Sequence, residues 1–408
     1  MTSAQSINFI DVEMAVCQAL NDSQSKLIDF TIEPLSKQWG GMMGAHFSLS
    51  AKVSQSSLKT TETINNTSEL KFFAKTPPPE SSSSKDLVDD RLNPEEVHFF
   101  QKVYPRMKGT QKWSPRCHFA SNQLLIFEDL RLKDFAIRTS GLFDEASLKA
   151  AVETLASFHA SSIVLQAEIG SGNGTMRLDE AYPGAFQEKI FYEGHGKCAR
   201  ANRVGFKTLE KLARYFGLDA SLVPKILCRL CETVRPREGQ CNVICHGDLW
   251  RSNIMFADGS SNFPSCLLVD YQMLRYASPA LDLAMLLYVH TEPNLPSSVS
   301  LRNAMLVHYE KCLHDVLAGF GVEDFFSEDV VKDFDRCRLL GAAQASTRWP
   351  PVVFNSVMKD PVAFERWYFH ERFEVYREYM ELNPDYESMM KEYLIQLIDE
   401  GKRVLEII

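Results

Sequence analysis

Apolar and polar positions in the first quarter of the chain fall into short runs. His46 to Val53 alternates roughly in steps of two. Leu70 to Lys75 (LKFFAK) is short and aromatic, and Gln123 to Phe127 (QLLIF) is a compact apolar run. Each predicts a strand. Between the last two, Pro94 to Val103 predicts a helix, with Asn93 as its cap and the proline at the first helical position. Two polar stretches predict loops. Ser54 to Ser68 is rich in Ser, Thr and Asn, and Thr76 to Ser84 reads TPPPESSSS, where prolines fix φ and remove donors.

After Glu128 the spacing becomes helical. Asp144 to Ser162 carries Leu148, Ala151, Val152, Leu155 and Phe158 on one face, with Asp144 as a cap. Leu209 to Phe216 and Leu222 to Val234 predict further helices. Two short apolar runs follow, Asn242 to Cys245 and Cys266 to Val269, each leading into a polar cluster. From about Pro279 to Ile408 the pattern is mostly helical. A strand-rich front and a helical back predict an α+β protein with two lobes, residues 1–128 and 129–408.

Composition narrows the function classes. The chain has 408 residues, with 44 Lys+Arg against 53 Asp+Glu and a net charge of −9. This balance argues against a general nucleic-acid binder but permits a local anion site. The best apolar run, Tyr276 to Val289, is broken by Asp282 and falls short of the roughly 18 residues of a membrane span. The N-terminus shows no basic flank with an apolar block, so no secretory signal is expected. The ten cysteines are expected as reduced thiols in a cytoplasmic protein. No protein partner is evident.

The sharpest chemical signal is Val243-Ile244-Cys245-His246-Gly247-Asp248-Leu249-Trp250-Arg251-Ser252-Asn253-Ile254-Met255-Phe256. An apolar run delivers a His, an Asp and, five residues on, an Asn. Seventeen residues past Asn253 comes Asp270, again directly after an apolar run. Asp, Asn and Asp at strand ends suit a hard divalent cation such as Mg²⁺, which takes oxygen ligands and shares them with substrate phosphates. The remaining carboxylate is then available to accept a hydroxyl proton.

This spacing matches the H-x-D-L-x-x-x-N loop of protein kinases, with Gly247 in place of the Arg. The Gly form resembles the aminoglycoside and choline kinase branch. The fuller string HGDLWRSNIMF, followed by VDYQMLRYASPALDLAMLL, resembles the ecdysteroid kinase-like family, most strongly from Cys245 to Leu287 and more weakly back to about Gly40. The resemblance implies a two-lobed protein-kinase-like fold. Its small N-terminal lobe would hold an antiparallel sheet and one helix, and its large C-terminal lobe would be mainly helical. It also implies roles: Asp248 as catalytic base, Asn253 and Asp270 as Mg²⁺ ligands, His246 bracing the loop, and Asp282 tying the loop backbone.

Other positions follow the same resemblance. Lys75 ends Phe72-Phe73-Ala74-Lys75, where a kinase lysine pairs the α- and β-phosphates of ATP. Its carboxylate partner is Glu96 on the next helix, with neighbouring Glu95 an open alternative. Gly40-Gly41-Met42-Met43-Gly44 resembles a glycine-rich phosphate loop but departs from G-x-G-x-x-G, and a plain turn fits it equally well. Gln123 to Leu130 resembles the inter-lobe hinge, with Glu128 and Leu130 as backbone donors or acceptors for a purine. Asp270-Tyr271-Gln272 stands where D-F-G would, and no A-P-E string follows, which disfavours a peptide substrate.

The activity implied is ATP- and Mg²⁺-dependent phosphorylation of a small-molecule hydroxyl, on an ecdysteroid-like steroid or a xenobiotic alcohol. A choline-, ethanolamine- or aminoglycoside-type kinase, and an inactive protein that sequesters a ligand, are the alternatives. Cys228-x-x-Cys231 with Cys241 and Cys245 has metal-like spacing, but the first pair sits on an amphipathic helix and Cys245 in a buried run. No zinc is expected there. His159 is expected as a core histidine beneath the catalytic loop. Trp367 to His370 and Phe373 are expected as core, some of them lining an apolar acceptor pocket.

Overall fold

The computed structural model describes residues 7–35, 44–59, 62–77, 92–138, 142–170, 176–259, 264–322, 328–348 and 361–406. The chain divides into two compact units, residues 1–106 with 114–135 and residues 107–113 with 136–408.

In the first unit α1 (Phe9–Leu20) precedes β1 (Lys26–Pro34), β2 (Ala45–Lys59) and β3 (Glu62–Thr76). Then come α2 (Pro94–His98), β4 (Cys117–Ala120) and β5 (Leu125–Glu128). The strands form one antiparallel sheet in the order β1-β2-β3-β5-β4. Step-two alternation puts Phe47, Leu49, Ala51 and Val53 of β2 and Phe72 and Ala74 of β3 into one buried cluster. Val12, Ala15 and Val16 of α1 join it. The same alternation turns Lys75 to the opposite face of the sheet.

The sequence reading does not pick out α1. Its signals are present: Asn8 accepts from the amide of Asp11 as an N-cap, and the buried positions recur at helical spacing. The reading of Ser54 to Ser68 as a loop is overturned. β2 and β3 pair antiparallel from Ala45↔Thr76 out to Lys59↔Glu62. Backbone pairing satisfies every second amide whatever the side chains are, and Thr67, Ser68 and Glu69 lie exposed, so this stretch needs no apolar residues. The helix predicted from Pro94 to Val103 forms, but it widens into a π-helical turn over Phe99–Val103. That turn brings the consecutive Phe99 and Phe100 both into the core. Asn93 caps it through the amides of Glu95 and Glu96.

The second unit is mainly helical. It opens with β6 (Ala136–Ile137), then α3 (Glu145–Gly170), α4 (Leu178–Ala181), α5 (Lys197–Tyr215) and α6 (Leu222–Thr233). Short strands follow: β7 (Val243–Cys245), β8 (Ile254–Ala257), β9 (Ser265–Leu268) and β10 (Arg275–Ala277). The chain then continues through α7 (Ala280–Val289), α8 (Pro296–Gly319), α9 (Glu328–Arg348), α10 (Pro361–Phe369), α11 (Phe373–Leu382) and α12 (Pro384–Val404). Asp144 caps α3 by accepting from the amide of Ser147.

The sequence reading sets a single boundary at 128, whereas the compact units divide at 135 and also exchange 107–113. Trp113 explains the exchange. It is fully buried against Phe158 and Tyr271, and its carbonyl accepts from the amide of Leu268 at 2.8 Å. Among the described residues no helix is long and apolar enough to cross a membrane. Trp367 and Phe369 are buried, as expected of core, whereas Tyr368 and Phe373 are half-buried and His370 is exposed, which corrects the expectation for those three.

Candidate active site

Two antiparallel pairs build the chemical end of the second unit. β7 pairs with β10, matching Cys245 with Arg275, and so presents His246-Gly247-Asp248. β8 pairs with β9, matching Ile254 with Leu268. Asn253 immediately precedes β8 and Asp270 follows β9 by two residues. Val269 joins the parts: its amide donates to the carbonyl of Asn253 at 3.0 Å, and its carbonyl lies 3.0 Å from Nε2 of His246. A carbonyl only accepts, so Nε2 carries the proton. His246, Asn253 and Asp270 are thus brought together around one residue.

Asp248 and Asn253 are joined directly. Nδ2 of Asn253 donates to both the carbonyl and Oδ2 of Asp248, each at 2.9 Å. Both neighbours are acceptors, so the amino end of the amide faces Asp248 and its oxygen faces the other way. Asp270 has φ +69, a strained backbone for a non-glycine residue, and its Oδ2 accepts from Nε2 of Gln272 at 2.8 Å. An amide oxygen and a carboxylate are hard oxygen donors, the set that Mg²⁺ takes. Asn253 and Asp270 therefore fit that cation.

Gly247 explains why this loop has glycine where protein kinases have arginine. Its φ is +76, and an added Cβ would lie 2.2 Å from the carbonyl oxygen of Met273. The loop amides are held by Asp282, which is 1% exposed. The amide of His246 donates to its Oδ2 at 2.6 Å and that of Gly247 to its Oδ1 at 2.9 Å. Burial pushes the Asp282 carboxyl up. The hydrogen bond from His159, the charges of His159 and His246, and the Gly247 amide outweigh burial and hold it below the ordinary carboxylate range. His159 is the core histidine the sequence predicts, with Nε2 3.3 Å from Asp282 and Nδ1 2.7 Å from the hydroxyl of Tyr309.

Sequence reasoning misses a second brace. Arg275, 5% exposed, pairs with Glu188 at 2.7 Å and donates to the carbonyl of Gly247 at 3.4 Å. Lys189 donates to the carbonyl of Gln272 at 2.9 Å. The available signal is Arg275 itself, a charge beside a long apolar run, which demands a partner once buried.

In the first unit, Nζ of Lys75 lies 2.7 Å from Oε2 of Glu96, with both side chains buried. Glu96 supplies the contact for which Glu95 is the open alternative. Gly44 packs close to Lys75: a Cβ there would meet its side-chain carbons at 3.4 Å and the carbonyl of Thr76 at 3.0 Å. Glu128 ends β5, where its amide donates to Arg116 at 2.9 Å and its side chain accepts from the Arg116 amide and pairs with Lys133. The carbonyl of Leu130 accepts from the amide of Phe135. Gly40 and Gly41 lie outside the described residues, as does most of the Thr76 to Ser84 stretch. Among the described residues, Cys228, Cys231 and Cys241 belong to no group able to hold a metal, and Cys245 lies instead beside His159 and Asp282.

A family model identifies the class: a small-molecule kinase, a phosphotransferase with an alcohol group as acceptor. The chain belongs to the ecdysteroid kinase-like family, whose model matches residues 43–322. No curated protein matches it. Among solved structures, an ethanolamine kinase of Plasmodium vivax is similar at 13% identity, covering 88% of this chain and 83% of its own, with a TM-score of 0.42. An aminoglycoside phosphotransferase of Alicyclobacillus acidocaldarius is similar at 14% identity, covering 86% and 90%, with a TM-score of 0.38. An APH(2″) enzyme solved with GDP and kanamycin is similar at 13% identity, covering 97% and 99%, with a TM-score of 0.39. These likenesses say nothing of substrate.

Proposed function

We propose that the enzyme transfers the γ-phosphoryl group of ATP, with Mg²⁺, to a hydroxyl of a small molecule, an ecdysteroid-like steroid or a xenobiotic alcohol. The observation that carries this reading is the junction at Val269, where the loop bearing Asp248 and the strand ends bearing Asn253 and Asp270 are bonded to one another. In this reading Asp248 orients the acceptor hydroxyl and takes its proton, with Asn253 holding the carboxylate in place. Asn253 and Asp270 hold Mg²⁺, which supplies charge neutralisation for the triphosphate. Lys75, fixed by Glu96, binds the α- and β-phosphates, the Gly40 to Gly44 stretch contributes backbone amides to phosphate, and Glu128 and Leu130 offer the base their backbone groups other than the Glu128 amide and the Leu130 carbonyl, which are bonded to Arg116 and Phe135. Most of the acceleration comes from positioning and charge stabilisation, with no covalent intermediate.

Family membership supports an alcohol on an apolar scaffold. A cytoplasmic setting suits ten cysteines that stand outside disulfides. The test is a screen with ATP and Mg²⁺ against hydroxylated steroids, alkaloids, glycosides and amino alcohols, read by mass spectrometry. A phosphorylated steroid or xenobiotic supports the proposal. A product confined to amino alcohols moves the enzyme to the choline kinase type, and binding without turnover makes it a sequestering protein.

A further inference from the structure

Three side chains with no part in the site above converge where α3 packs against α8. Glu153 stands on α3, and His308 and Cys312 stand four residues apart on α8, which puts both on one helix face. Nε2 of His308 lies 2.8 Å from Oε1 of Glu153 and 3.5 Å from Sγ of Cys312. All three candidate ligand atoms fall within 4.8 Å of one another. Nε2 carries at most one proton, so a proton serves the carboxylate contact or the thiol contact, never both. A cation at the shared point uses all three lone pairs at once.

We propose that Glu153, His308 and Cys312 form a site for a divalent transition metal of the Zn²⁺ class, which staples α3 to α8. The geometry is close to the bound one. Zn–N of 2.0–2.1 Å and Zn–S of about 2.3 Å set tetrahedral neighbours about 3.3–3.7 Å apart. The nitrogen–sulfur distance fits already. The nitrogen–oxygen distance needs to open by about half an ångström, which the 49% exposed side chain of Glu153 allows. The backbone beneath is fixed, because the neighbouring Tyr309 is hydrogen-bonded to His159 across the same two helices. Imidazole and thiolate select Zn²⁺, Co²⁺ or Ni²⁺ over Mg²⁺. Binding displaces the thiol proton of Cys312 to solvent, and water completes the fourth position.

The test is titration of the chelator-treated full chain with Co²⁺. One equivalent should produce a near-ultraviolet thiolate-to-cobalt charge-transfer band with tetrahedral visible bands, and Zn²⁺ should abolish both. Cys312→Ser should lose the charge-transfer band. His308→Gln and Glu153→Gln should each weaken Co²⁺ binding at least about 10-fold. The double variant Cys228→Ser, Cys231→Ser should keep the band, and circular dichroism confirms that each variant is folded. Absence of the band, or its persistence in Cys312→Ser, overturns the proposal. Cobalt held by the oxygens of Asn253 and Asp270 gives no thiolate band, so the readout is independent of the kinase reading.

Discussion

The imidazole of His246 donates through Nε2 to the carbonyl of Val269 at 3.0 Å. The bond couples the loop that carries Asp248 to the residue before Asp270. Replacing the ring should displace one part relative to the other, and a shift of about 1 Å can cost about 10²-fold in rate. His246→Ala should therefore lower kcat about 100-fold with a smaller effect on nucleotide KM. Steady-state kinetics check this, and an unchanged kcat contradicts it.

Lys75 and Glu96 are a buried ion pair at 2.7 Å. Removing one member leaves the other charge buried and alone, so Glu96→Gln should destabilise the protein by about 3 kcal/mol. Adding Lys75→Met should recover part of that loss. Urea denaturation of the two single variants and the double gives the coupling, which should reach about 2 kcal/mol. Additive losses contradict the pairing.

Asp282 gives a pH dependence with a defined sign. Its folded pKa is lowered from 3.8, the net result of burial, which raises it, and hydrogen bonds and imidazole charge, which lower it further. A depressed carboxyl contributes stability that is fully present above the unfolded pKa and is lost as pH falls through the folded one. Asp282→Asn should be less stable than wild type by about 3 kcal/mol near neutral pH. The gap should narrow only below pH 3.8. Denaturation midpoints across pH 2–7 would measure it, and a gap that closes near neutrality contradicts the assignment.

Gly247→Ala should lose activity and stability together. Left-handed backbone alone costs about 1–2 kcal/mol, and the 2.2 Å approach of the added Cβ to the Met273 carbonyl forces the loop to move. A thermal melt together with kcat tests this, and an active variant of wild-type stability contradicts it.

Where the fold is legible in the sequence, the reason is local. Asn93-Pro94 marks the start of α2, the runs around Phe72, Ile126 and Val243 mark strands, and a lone Asp282 in an apolar run announces a buried carboxylate in need of partners. β2 and β3 extend through Ser54 to Ser68 by backbone pairing, which leaves no hydrophobic pattern to read. The bracing of the site is least legible. His159 and Tyr309 are 150 residues apart, and Glu188 meets Arg275 from a loop. Only tertiary packing reveals such partners.

Asp248 is the group proposed to receive the acceptor's proton. The most direct measurement is transfer of label from γ-phosphate-labelled ATP to an acceptor found by the screen, for wild type and Asp248→Asn. General-base loss of 10²–10⁴-fold corresponds to about 3–5 kcal/mol in the barrier. Wild type should give labelled product and the variant a rate at least about 100-fold lower, with nucleotide affinity retained. Equal rates from the two proteins would contradict it.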